Sequence, residues 1–287
     1  MNRITSIVVL GEKNHGKSTL IGRLLYETRS IPIDRLNDVK QTIKASGKRF
    51  EWAHLLDSFV YEREHKMTLD TTRAMVKFGT RFYEFIDVPG HKELIQNMLT
   101  GASDAKFAIL IVDAKEGIKN QTLKHIEIAE FLGIKKIIAI INKMDMVGYS
   151  QTTFEKIKKD LKMDAVPVVA KDGTNLIKKS AKLKWFRGPT LQKTIENKFK
   201  ISDWAKNKIL LAKKAKNITA ACLFIERPKK KLMLESRHGS YSISKLNGPK
   251  NINTVEKISI KLKKIGSISD KFVIKNNGRI ISICKLS

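Results

Sequence analysis

The sequence predicts an α/β domain with a mainly parallel sheet, followed by a small C-terminal antiparallel β-barrel. Three observations predict it. Through residue 198, β-branched apolar runs alternate with helical patterns. A glycine-containing loop joins the first apolar run to the first helical pattern. From Ile218 the helical patterns stop, and short β-prone runs follow, some separated by Gly or Asn-Gly turns.

In chain order, strands are expected near 4–10, 72–79, 81–87, 106–113, 136–141 and 165–169. Helices are expected near 17–28, 91–101, 119–132, 151–161 and 189–198. Residues 29–67 read as long, polar and partly helical, with helical spacing from Trp52 to Val60. Barrel strands are expected at Ile218–Ile225, Lys231–Glu235, Ser240–Lys245, Lys257–Leu262, Lys271–Lys275 and Arg279–Leu286. The expected domains are therefore 1–198, a lysine-rich connector at 199–217, and 218–287.

The first loop is Gly11-Glu12-Lys13-Asn14-His15-Gly16-Lys17-Ser18-Thr19. It has the G-x-x-x-x-G-K-[ST] spacing of a phosphate loop, between a strand and a helix as the chemistry requires. Glycines let the backbone bend so that its N–H groups and the helix N-terminus face negative charge. Lys17 can reach terminal phosphates, and Ser18 can ligate Mg²⁺.

Asn142-Lys143-Met144-Asp145 follows the buried-strand run Ile137–Ile141. A carboxylate at Asp145 can accept both N–H donors of guanine. Asn142 can offer its amide toward the O6/N7 edge and also tie down the phosphate loop. The stem of Lys143 can cover one face of the base. A site built on such hydrogen bonds can reject a base lacking them by about 10⁴–10⁵-fold.

Asp87-Val88-Pro89-Gly90-His91 follows another strand run. Asp87 can hold Mg²⁺ through water. Gly90 can bring a backbone N–H to the γ-phosphate and flip when that phosphate leaves. His91 is placed to orient the attacking water. Thr68 is a candidate to complete the Mg²⁺ shell and sense the γ-phosphate.

These segments, in this order, resemble the translation-factor class of P-loop GTPases from Ile4 to about Glu196. Two families within the class look similar. One is elongation factor Tu with its archaeal and eukaryotic equivalent, elongation factor 1-alpha. The other is the GTPase subunit of bacterial sulfate adenylyltransferase with related nodulation proteins. The second is favoured by Ser18–Thr28, Asn97–Ser103, Asn142–Ser150 and Trp185–Leu191.

The resemblance implies that Lys17, Ser18, Thr19, Thr68, Asp87, Gly90 and His91 form a hydrolysis site. It implies that Asn142, Lys143 and Asp145 hold guanine, and that Val169-Ala170-Lys171 is the last guanine loop, with the Ala170 N–H meeting O6. Relatives usually carry serine where this chain has Val169, which implies a looser or weaker-binding loop. They carry glycine-isoleucine where it has Lys66-Met67 before the switch threonine. Asn14 stands where several potassium-requiring GTPases carry asparagine, and its carbonyl can help hold K⁺ beside the phosphates.

The tail resembles the last barrel of the same class, in Ile218–Phe224 and Gly278–Ile281. Relatives have a middle barrel before it, which in elongation factors helps hold the aminoacyl end of tRNA. About 20 residues of connector are too few for one.

Net charge is +28. Residues 201–287 hold 20 Lys/Arg against 5 Asp/Glu, a field that would draw RNA or another polyanion. A lysine-rich compositional bias is the alternative, since that stretch has few aromatics to stack on bases: Trp204, Phe224, Tyr241 and Phe272. No run has the length of a membrane span. The N-terminus leads directly into a strand, so no signal peptide is expected. Cys222 and Cys284 lack metal-ligand spacing and read as small, reduced, buried residues of a cytoplasmic protein.

Three functions compete. The first is a GTPase coupling subunit working with a nucleotidyltransferase in sulfate activation. The second is a translation factor-like GTPase acting with tRNA or ribosome. The third is a nucleotide-binding module that has lost catalysis.

Overall fold

Parallel strands put all their carboxyl ends along one edge of a sheet, and that geometry assembles this protein's motifs. The computed structural model describes residues 4–56, 72–87, 105–131, 134, 136–199, 213–224, 232–236, 239–247, 249, 255–268, 271–276 and 279–286. The chain divides into two units, one of residues 1–94 and 103–203, the other of 95–102 and 204–287.

The first unit holds a six-stranded sheet ordered β2-β3-β1-β4-β5-β6. Its strands are β1 (Thr5–Gly11), β2 (Thr72–Phe78), β3 (Arg81–Asp87), β4 (Phe107–Asp113), β5 (Lys136–Asn142) and β6 (Ala165–Pro167). Only β2 runs antiparallel to its neighbour. Every residue of β4 is buried, as expected of a central strand covered on both faces. The edge strand β2 alternates instead, burying Ala74, Val76 and Phe78. All six strands expected in this part of the chain are present.

The helices are α1 (Lys17–Glu27), α2 (Ile33–Ala45), α3 (Asn120–Phe131), α4 (Gln151–Leu161) and α5 (Leu191–Lys198). Helix α1 buries Leu20, Ile21, Leu24 and Leu25, one stripe at helical spacing. Ser150 caps α4 by accepting from the Thr153 N–H, and Lys162 ends it in the left-handed conformation. Helix α2 lies within the stretch 29–67 read as polar and partly helical; its apolar stripe is short, with Leu36 buried and Val39 and Ile43 half-buried one and two turns on. Ala53–Leu56 are helical, and the remainder of the spacing read from Trp52 to Val60 lies outside the described residues, as does the helix expected at 91–101.

Two boundaries of the expected connector move. Phe199 is buried and stacks on Phe107 at 4.6 Å, so the first unit's core reaches past residue 198. Strand β7 begins at Lys213, five residues before Ile218, because a lysine-rich stretch can still pair through its backbone.

The second unit is a closed antiparallel barrel ordered β10-β7-β12-β11-β8-β9. Its strands are β7 (Lys213–Phe224), β8 (Leu232–Ser236), β9 (Gly239–Leu246), β10 (Val255–Ile268), β11 (Lys271–Asn276) and β12 (Arg279–Leu286). The core includes Ala220, Leu234, Ile258, Ile260, Leu262 and Ile274. Spacing by two along β10 points Ile258, Ile260 and Leu262 inward together. Cys222 and Cys284 are buried, as expected, but they are not free thiols. The register of β7 against β12 sets them directly opposite, and they form a disulfide. Among the described residues no helix is long and apolar enough to cross a membrane.

Phe199→Ala removes one ring of a buried stack and is expected to cost about 3–5 kcal/mol of stability, measured by chemical denaturation of the full chain. A change under ~1 kcal/mol would place Phe199 in a loose connector after all.

Candidate functional site

The loop after β1 is shaped by residues that tolerate positive φ: Gly11 at 143°, Asn14 at 67° and Gly16 at 96°. Neither glycine can carry a side chain. A Cβ on Gly11 would stand 2.5 Å from the Ile111 carbonyl oxygen, and one on Gly16 would stand 2.5 Å from Asn142 Nδ2. Lys17 is buried, and its ammonium donates to the carbonyls of Gly11 (2.8 Å) and Glu12 (3.0 Å). Burial holds its pKa below the ordinary lysine value, partly opposed by Asp87 and Glu12.

Ser18 Oγ donates to Asp87 Oδ2 at 2.7 Å. A hydroxyl and a carboxylate therefore meet beside the loop, across the parallel pairing of β1 and β3. Such hard oxygen donors fit Mg²⁺. Thr68, Gly90 and His91 lie outside the described residues.

His15 belongs to the loop expected to bind nucleotide, and its ring turns inward while its backbone stays in the loop. It is fully buried, with Nδ1 3.3 Å from the Asp113 backbone nitrogen and Nε2 3.4 Å from Glu116 Oε2. Nδ1 lies equally 3.3 Å from the Ile111 carbonyl oxygen, so the ring is anchored against the end of β4 whichever nitrogen carries the proton. Its backbone carbonyl accepts from Asn142 Nδ2 at 2.9 Å. His15 is thus a strut beneath the loop.

Asn142 is buried at the end of β5 and uses both ends of its amide inside the protein. While Nδ2 holds the phosphate loop, Oδ1 accepts from the Ala170 N–H at 2.9 Å. The amide expected to reach the base edge, and the Ala170 N–H expected to meet O6, thus bind each other. Lys143 sits at φ 60°. Its ammonium pairs with Asp113 at 2.7 Å, which stretches its stem beside the cleft. Burial pushes the Asp113 carboxyl up, but Lys143 and the Lys115 and Glu116 N–H groups outweigh it, leaving the pKa low. Asp145, exposed on a single turn from Met144 to Val147, is open to a ligand.

Val169 packs its loop inward. Its side chain is buried, and its backbone bridges to Thr174 (N–H to O, 3.2 Å) and accepts from the Gly173 N–H at 3.0 Å.

A cleft of about 490 Å³ gathers Asn14, Gly16, Thr19, Asn142, Lys143, Asp145, Val169 and Lys171. Its other wall is Arg49-Phe50-Glu51-Trp52, which sequence reasoning missed. The one available signal was a tryptophan and a phenylalanine in an otherwise polar stretch. Asp113 was missed too, because a strand-end aspartate carries no spacing of its own. A larger cleft of about 750 Å³, lined by lysines at the start of β5, contains none of the motif residues.

Residues 2–225 match the family described as the elongation factor Tu GTP binding domain. The chain belongs to this family. Elongation factor 1-alpha of Pyrococcus furiosus is 42% identical over 201 residues, covering 67% of this chain and 47% of the relative. The same factor from Methanocaldococcus jannaschii is 40% identical over 212 residues, covering 67% and 49%. The chain thus spans about half the length of the curated relatives it matches. The Saccharomyces cerevisiae Ski7 GTPase-like domain, solved bound to GTP, shares the fold at TM-score 0.63 and 15% identity, over all of this chain and 97% of that one. In this member of the family, Asn14, Gly16 and Thr19 of the loop after β1 and the segment from Asn142 to Asp145 after β5 line one cleft.

Phosphates entering beside Lys17 should raise its lowered pKa. Nucleoside triphosphate binding at pH ~9.5, near the ordinary lysine value, is therefore expected to take up protons. Calorimetry in buffers of different protonation heat measures this, and a buffer-independent enthalpy would contradict it.

Proposed function

We propose that this protein binds GTP and hydrolyses it to GDP and phosphate, as a switch whose bound state another macromolecule reads. The observation that carries the reading is the meeting of a phosphate loop and the Asn142–Asp145 segment in one cleft, joined through Asn142. Guanine would lie over the Lys143 stem with its N1 and N2 donors on Asp145. The loop's N–H groups and Lys17 would cradle the phosphates. Ser18 and Asp87, with Thr68, would hold Mg²⁺. When bound, that ion would neutralise charge on the phosphate oxygens. His91 would orient the attacking water, and Gly90 would sense the γ-phosphate. Free hydrolysis would be slow, with a partner accelerating it.

For the partner, we place translation ahead of sulfate activation. Similarity to elongation factor 1-alpha favours the former. Only residues 200–212 separate Phe199 from β7, so the barrel that grips the aminoacyl end of tRNA in elongation factors has no room. The reading is therefore a cytoplasmic, ribosome-directed GTPase, and the basic charge of residues 201–287 suits an RNA surface. Ribosomes should stimulate hydrolysis. Stimulation by a nucleotidyltransferase subunit, with none by ribosomes, would return the sulfate reading.

Asp145→Asn exchanges a double acceptor for a group that also donates. GTP affinity is expected to fall at least ~10²-fold, and xanthosine triphosphate, which offers an acceptor at C2, should bind the variant better than GTP does. Unchanged GTP affinity would remove Asp145 from the base site.

A further inference from the structure

We infer that Trp52 is a positioning residue for the guanine base, acting through the backbone of the Ala170–Lys171 loop. The inference rests on the guanine-nucleotide reading above and adds a part to it. Nothing in the phosphate-loop or Asn-Lys-Met-Asp motif includes this residue.

The guanine loop is held from two sides. On the inner side, Asn142 Oδ1 takes the Ala170 N–H. On the outer side, the Lys171 carbonyl receives two donors, the Trp52 indole N–H at 3.0 Å and Arg23 Nη1 at 3.3 Å. Arg23 also donates to the Asp172 carbonyl at 2.9 Å, and Glu27 fixes Arg23 through Nε at 2.9 Å. With its carbonyl anchored twice and the preceding N–H anchored once, the stretch from Ala170 to Lys171 has little freedom to rotate beside the base.

Trp52 is itself held in place. The Arg23 guanidinium lies 4.8 Å from its ring centre, Tyr26 packs at 4.6 Å, and Phe50 meets it edge-on at 5.2 Å. Its backbone rests on α1 at Gly22, where an added Cβ would stand 1.9 Å from the Trp52 carbonyl oxygen. Glycine at position 22 is thus what lets the 49–52 segment come down on the helix that carries Lys17 and Ser18. From there the segment lines the same cleft as Asp145 while its indole N–H reaches Lys171.

The loss of this one hydrogen bond should loosen the base end of the ligand and leave the phosphate end alone. Trp52→Phe keeps an aromatic ring against Arg23 and removes only the N–H donor. Full-length protein would be loaded with fluorescently labelled GDP and its release followed after mixing with excess GDP. Release from Trp52→Phe is expected to be roughly three- to tenfold faster, the worth of one partly exposed hydrogen bond. The melting temperature should fall only by the few degrees that one such hydrogen bond is worth, and the single-turnover rate of preloaded GTP, which reads the phosphate end, should fall by much less than release accelerates. Arg23→Lys, which loses the forked donors but keeps the charge, should accelerate release in the same direction and serves if Trp52→Phe fails to fold. Release at the wild-type rate from folded variants would overturn the positioning role. So would faster release accompanied by an equal loss in the single-turnover rate, which marks general damage to the cleft. Wild-type protein that binds no GDP would instead refute the guanine reading itself.

Discussion

One buried side chain, Asn142, joins the two halves of the candidate site. Its amide nitrogen holds the His15 carbonyl of the phosphate loop, and its amide oxygen holds the Ala170 N–H of the guanine loop. Those loops follow β1 and β6, which are not neighbours in the sheet. Asn142, at the end of β5, reaches both ways and fixes their separation from the inside. Gly16 must be glycine for the same reason, since any side chain there would collide with that amide. Leaving either partner unsatisfied in a buried setting would cost on the order of 1–3 kcal/mol.

Around that link the charges are arranged for an anion. Lys17 is buried, and among the described residues its ammonium donates to two carbonyls. Phosphate would satisfy it better than the protein alone does. Lys143 is turned the other way, neutralised by Asp113, so that its stem rather than its charge faces the cleft. His15 and Glu116 brace the loop from beneath. The two lysines next to the site thus play opposite parts, one offered to a ligand and one spent on the scaffold.

Much of this was legible in the sequence. Strands stood out because buried parallel strands require unbroken β-branched runs, as at Phe107–Asp113 and Ile137–Ile141. The loops stood out because phosphate chemistry restricts which residues can occupy them. Helix α2 was hidden by its short apolar stripe, and Phe199 by the lysines around it. The Arg49–Trp52 wall was hidden for a different reason. It reaches the cleft through tertiary packing on Gly22 and Arg23, and no local pattern encodes that. The inward turn of His15 was hidden too, since a histidine in a phosphate loop reads the same whether it faces ligand or core. The disulfide followed from the register of two barrel strands, far apart in sequence.

The account depends most on Asn142 acting at both ends of the nucleotide. Equilibrium dialysis of Asn142→Ala with GTP and Mg²⁺ tests this directly. Two buried partners would be orphaned, so affinity should drop by about 10²-fold or more while the chain remains folded. A folded variant whose GTP affinity stays within about twofold of the wild type would contradict it, because a lost buried hydrogen bond alone should exceed that.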